Sequence, residues 1–170
     1  MAKLYFRYGA MNSGKSTALM QVAHNYEEQG MRVLILKPKV DTKGSGDLVS
    51  RLGVRRPADL LVPPDMDLVE AVRAASSEGR PLACVLCDES QFLTAEQAEQ
   101  LFMVTVELNI PVICYGLRSD FSLKGFPGST SSKTFNGFMK SAVPVKLSVL
   151  RIDDKIINPK FSERFKKASK

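Results

Sequence analysis

Two short groups of residues have the types and spacing for phosphate chemistry. Gly9-Ala10-Met11-Asn12-Ser13-Gly14-Lys15-Ser16-Thr17 fits the pattern G-x-x-x-x-G-K-[ST]. In such a loop the backbone N–H groups face inward around phosphates, the lysine reaches the outer ones, and the hydroxyl after it suits a magnesium ion. These nine residues are therefore read as a nucleotide cradle, with Lys15 on phosphate and Ser16 on metal. The second group is Asp88-Glu89, which directly follows the apolar run Leu82-Ala83-Cys84-Val85-Leu86-Cys87. An acid closing such a strand opposite a phosphate loop is placed to hold magnesium or its water shell, so Asp88 joins Ser16 as a metal residue. Beside it, Glu89 can orient and deprotonate an attacking oxygen. That oxygen belongs to water in an ATPase and to a substrate hydroxyl in a small-molecule kinase, and spacing leaves both open.

The elements around these groups agree with the assignment. Leu4-Tyr5-Phe6-Arg7-Tyr8 precedes the loop and reads as a strand. After it, Ala18, Leu19, Val22, Ala23 and Tyr26 recur at helical spacing until Gly30. The helix N-terminus adds its dipole to the phosphate field. A second strand is predicted at Met31 to Lys37, closed by Pro38. From there to Asp65 the chain reads as a long loop rich in Gly and Pro and holding Asp41, Lys43, Arg51, Arg55 and Arg56. Loops of that length in compact domains are commonly functional. A helix follows around Leu68 to Ala75, then the strand 82–87, a helix opened by a capping box of Thr94 and Gln97, and a strand from Pro111 to Gly116. Alternating strands and helices predict an α/β fold with a mainly parallel sheet flanked by helices. Ligands of such sheets collect at the C-terminal strand ends, where the loop, Asp41, Asp88, Glu89 and Arg118 all belong.

Composition narrows the class. A chain of 170 residues suffices for one substantial core. No apolar run approaches the roughly 18 residues of a spanning helix, and the start lacks a secretory stretch, so a cytoplasmic location without membrane contact is expected. Three cysteines give no disulfide framework. Cys84 and Cys87 form a C-x-x-C, but three apart on a strand they point to opposite faces and cannot grip one metal. The net charge of +6 is uneven: residues 1–117 carry −2 and residues 118–170 carry +8. A basic end of this kind reads as a solvated surface rather than a nucleic-acid site.

Taken together, Phe6 to Thr17 with Met11 inside the loop, Asp88-Glu89-Ser90-Gln91-Phe92, and Tyr115-Gly116-Leu117-Arg118-Ser119-Asp120-Phe121 resemble the thymidine kinases of the zinc-containing, RecA-like P-loop type, bacterial members included. The resemblance implies transfer of the γ-phosphoryl of ATP, with magnesium, to the 5′-hydroxyl of thymidine. It implies that Glu89 is the catalytic base, and that residues 9–17 with Asp88 and Gln91 form the ATP site. Met11, Arg51, Phe92, Arg118 and Phe121 then fall on the substrate side. It also implies a homo-oligomer, commonly a tetramer. The family's Asp-x-Arg stands here as Asp41-Thr42-Lys43, and lysine lacks the bidentate fork of arginine.

The resemblance covers residues 1 to about 129, read as the kinase domain. Residues 130–170 form a basic segment with one expected strand at 143–152 and a polar end. Family members continue into a zinc domain with two cysteine pairs and a lasso loop that closes over the nucleoside. After Cys114 this sequence has no cysteine, so no zinc site is expected. The chain is read as a shortened or divergent member, or one whose reading frame changes near residue 122. The rival reading is an ATP-binding protein without kinase activity, its basic tail making protein or nucleic-acid contacts.

Overall fold

The computed structural model describes residues 2–39, 46–49, 53–117 and 143–144. The strands are β1 (Leu4–Tyr8), β2 (Arg32–Pro38), β3 (Asp47–Val49), β4 (Arg55–Pro57), β5 (Leu60–Val62), β6 (Leu82–Cys87), β7 (Val112–Gly116) and β8 (Val143–Pro144); the α-helices are α1 (Lys15–Glu28), α2 (Leu68–Ser77) and α3 (Ala95–Glu107). Six strands form one sheet in the order β5-β2-β6-β7-β1-β8, and every pairing in it is parallel. This is the α/β fold predicted from the alternating pattern. β7 is inserted between β1 and β6.

Strand alternation sorts the side chains onto two faces. Leu34, Leu36, Val85, Cys87, Val112 and Cys114 meet Leu68 and Val72 of α2 and Leu101 and Val104 of α3. On the other face Val33, Ile35, Cys84, Leu86, Ile113 and Tyr115 meet Ala18, Leu19, Val22, Ala23 and Tyr26 of α1. Buried on both sides, the central strands read as continuous apolar runs. Cys84 and Cys87 do point to opposite faces. Cys87 instead lies in register with Cys114 on β7, and all three thiols are free and buried.

The segment from Pro38 to Asp65, read as loop, holds more structure than its composition suggested. Leu60–Val62 adds a parallel edge strand to β2, and β3 and β4 form an antiparallel pair. Each of these strands is three residues long, too short for any periodicity to register. Leu48 is fully buried against the α1 face. Arg56 forms a two-pronged ion pair with Glu27 of α1, one arm at 2.9 Å. The strand expected at 143–152 is described at Val143–Pro144, beside Arg7 and Tyr8 of β1; its other residues lie outside the described ones.

Helix ends carry partners for their unpaired backbone groups. The expected capping box of α3 is present, Gln97 N–H donating to Thr94 at 3.1 Å and Thr94 N–H to Gln97 at 3.2 Å. At the other end of the domain Arg32 donates to the carbonyls of Ala75 at 2.8 Å, Glu78, and Arg80 at 3.1 Å. Removing it by Arg32→Ala leaves three acceptors at the α2 exit without their cation. The expected cost is about 1–3 kcal/mol, read as a lower urea midpoint with ATP affinity unchanged.

Candidate active site

The loop at residues 9–17 leaves β1 at the sheet's C-terminal edge and enters α1 at Lys15. Gly14 has φ +79°, and a Cβ there meets nothing within 4 Å. Glycine is required at this position by conformation rather than by space. Asn12 also has positive φ, 64°, a geometry asparagine tolerates better than most residues. The turn folds the chain around the Lys15 ammonium, which donates to the carbonyls of Ala10 at 2.8 Å and Gly9 at 3.2 Å. Burial pushes the Lys15 pKa down, against the carboxylates of Glu89 and Asp88, which raise it. A phosphate offers this cation a stronger partner than two neutral carbonyls.

One hydrogen bond joins the two sequence groups. The Ser16 hydroxyl donates to Asp88 Oδ2 at 2.9 Å, across 72 residues of sequence. Asp88 is held by its strand, its N–H donating to the Leu36 carbonyl at 3.0 Å. Burial pushes its pKa up, the Ser16 hydrogen bond lowers it, and the neighbouring Glu89 raises it again. Lys37, at the end of β2, favours the ionised form and ties its ammonium to the Asp47 carbonyl at 2.6 Å. Ser16 and Asp88 offer a hydroxyl and a carboxylate, both hard oxygen donors of the kind magnesium takes. Among the described residues no group of three or more His, Cys, Asp or Glu gathers at one point.

Glu89 sits in the left-handed region, φ 49° and ψ 36°. For a non-glycine residue that costs on the order of 1–2 kcal/mol, and such strain gathers at functional positions. What holds it is the one-turn 3-10 helix Ser90–Phe92. The Ser90 hydroxyl donates to the Tyr115 carbonyl at 3.1 Å. The Gln91 amide donates to Glu89 Oε2 at 2.5 Å, while its oxygen accepts the Leu117 N–H at 3.0 Å.

The site residues named from sequence thus divide. Residues 9–17, Asp88, Glu89, Gln91 and Phe92 all lie beyond the C-terminal ends of β1 and β6, and Met11 and Phe92 are apolar side chains left 76% and 46% exposed there. Exposure of that degree separates them from the core. Asp41, Lys43, Arg51, Arg118 and Phe121 lie outside the described residues. Sequence reading quoted Ser90 and Gly116 within its motifs without giving them a role, and it missed Lys37; contact is what marks all three. Tyr115 packs in the core beside α1; its buried hydroxyl has no hydrogen-bond partner among the described residues, and burial chiefly pushes its pKa up to about 12.

The family model for thymidine kinase matches residues 2–134. The chain belongs to the thymidine kinase family. A thymidine kinase of Ruegeria pomeroyi is 47% identical over 132 residues, spanning 77% of this chain and 66% of that one. The thymidine kinase of Enterobacteria phage T4 is 47% identical over 130 residues, 76% of this chain and 66% of its own. The chain therefore spans just under two thirds of the length of these thymidine kinases. A crystal structure of a DNA replication initiation factor aligns with a TM-score of 0.47 and 18% identity over 99% of this chain and 44% of that one. Among the described residues no helix is long and apolar enough to cross a membrane.

Proposed function

We propose that the protein phosphorylates thymidine, transferring the γ-phosphoryl group of ATP to the 5′-hydroxyl to give thymidine monophosphate and ADP. The observation that carries this reading is the Ser16–Asp88 hydrogen bond at 2.9 Å, which brings the phosphate loop and the acid pair into one site. Membership of the family supplies the nucleoside. The 5′-oxygen forms its bond to the γ-phosphorus as the bond to the bridging oxygen of ADP breaks, and the hydroxyl proton passes to the Glu89 carboxylate. Lys15 turns from the Gly9 and Ala10 carbonyls to the phosphate oxygens and offsets their charge. Ser16 and Asp88 are the residues that would hold magnesium, which when bound neutralises phosphate oxygens during transfer. The rest of the work is positioning.

On the substrate side we assign Met11 and Phe92 to the nucleoside, with Arg51, Arg118 and Phe121 as further contacts carried over from the family resemblance. Exposed apolar surface within the phosphate loop and beside the acid pair is what supports the first two. Residues 1–129 form the catalytic domain in this reading, within a cytoplasmic homotetramer whose size sedimentation would measure.

The test is incubation of the purified protein with magnesium and γ-labelled ATP, with and without thymidine. Label in thymidine monophosphate is the expected product, lost on chelating the metal. Labelled phosphate released equally without nucleoside would instead make Glu89 a water-activating residue. Intact ATP in both samples would overturn the kinase reading and leave a nucleotide-binding protein.

A further inference from the structure

We propose that Gln91 is a positioning residue of the transfer step, clamping the Glu89 carboxylate to the backbone at Leu117, where the chain leaves β7. The proposal rests on the reading of Glu89 as the base. Gln91 is only 1% exposed, and a buried amide holds its place by satisfying both of its ends. Its Nε2 donates to Glu89 Oε2 at 2.5 Å, and its Oε1 accepts the Leu117 N–H at 3.0 Å. Only one amide orientation serves. Flipping the group would face its N–H against the Leu117 N–H and its oxygen against a carboxylate.

The clamp runs between the C-terminal ends of two paired strands, beside the Ser90 hydroxyl bond to the Tyr115 carbonyl. Glu89 follows β6 in a strained left-handed turn, and Leu117 follows β7, one residue before Arg118. Gly116 completes the arrangement. A Cβ at that residue would stand 2.7 Å from Gln91 Oε1 and 2.8 Å from Ser90 Oγ. The glycine is thus matched to the amide that crosses it, and a methyl group there displaces the clamp from the opposite side. The two nearest atoms are side-chain ends and the third is the Gln91 backbone nitrogen at 3.2 Å, so the added methyl is accommodated only by displacing Gln91.

Steady-state kinetics of five proteins test the proposal: wild type, Glu89→Gln, Gln91→Leu, Gly116→Ala and the double variant Glu89→Gln/Gln91→Leu. Gln91→Leu is expected to lower kcat at least tenfold with KM for ATP within twofold, and Gly116→Ala to do the same. In the Glu89→Gln background Gln91→Leu should cause no further loss, because a residue acting through the base has nothing left to position. Residual turnover remains measurable, since general bases contribute roughly 10²- to 10⁴-fold. Losses that multiply in the double variant, or an unchanged kcat in Gln91→Leu, would overturn the assignment. If Gln91→Leu fails to fold by circular dichroism, Gly116→Ala decides: full kcat in that variant rejects the clamp. A Glu89→Gln enzyme as fast as wild type would sink the base itself, an outcome distinct from any failure of Gln91.

Discussion

Glu89→Gln is expected to slow phosphoryl transfer to thymidine by about 10²- to 10⁴-fold while leaving the dissociation constant for ATP within twofold. The substitution keeps the size of the side chain and its acceptor oxygen, so the Gln91 donor at 2.5 Å retains a partner. It removes the negative charge and basicity by which, in the proposed mechanism, the carboxylate takes the hydroxyl proton. Nucleotide affinity should persist because the phosphate contacts arise from the loop at residues 9–17 and from Lys15. Their local geometry, including the Lys15 bonds to Gly9 and Ala10, does not depend on Glu89. Isothermal titration with ATP, paired with product formation from labelled ATP, separates the two effects. A parallel fall in binding and turnover would mean that Glu89 holds the nucleotide rather than the proton.

Asp88→Asn should act on two observables in opposite directions. On the proposed reading transfer falls by on the order of 10²-fold or more, because a carboxylate that would help hold magnesium is replaced by a neutral amide and metal neutralisation is worth several kcal/mol. The ligand-free protein should melt at a higher temperature than wild type. Burial pushes the folded-state pKa of Asp88 above the ordinary 3.8. Between those two values the folded chain holds a proton that the unfolded chain has released, so stability declines as pH rises through that window. Above the folded pKa the cost of a buried charge is fully present. Asparagine removes that cost and still accepts from Ser16. The gain in melting temperature should therefore be largest at pH 7–8 and shrink as pH is lowered through the folded pKa. A gain independent of pH, or a loss, would assign Asp88 a structural role through its hydrogen bond alone.

Much of this arrangement was legible in the sequence because the same residues carry local and global signals. The apolar runs 32–38, 82–87 and 112–116 are covered on both faces, and burial of that kind leaves an unbroken hydrophobic signature. Gly14 and Lys15 announced the loop because a positive φ and a phosphate cation each admit few residue types. What stayed hidden was decided between distant parts of the chain. Leu60–Val62 becomes a strand only because the edge of β2 is free to pair. The role of Gln91 is set by Leu117, 26 residues away. Gly116 reads as an ordinary strand terminator until the amide that crosses it is placed. Short pairing segments and side-chain bonds of long separation have no period and no motif.

The strands that carry the phosphate loop and the acid pair never touch: β7 lies between β1 and β6. Adjacent strands stand about 4.8 Å apart, so the two halves of the site begin roughly 10 Å from one another, a gap about the size of a hydrated metal with its phosphate oxygens. That width is ruled by main-chain hydrogen bonds, and no substitution of side chains alters the ruler. Residues along all three strands can thus be exchanged without changing that spacing, whereas inserting a single residue into β7 would exchange the side chains of its two buried faces and pull Gly116 out of alignment.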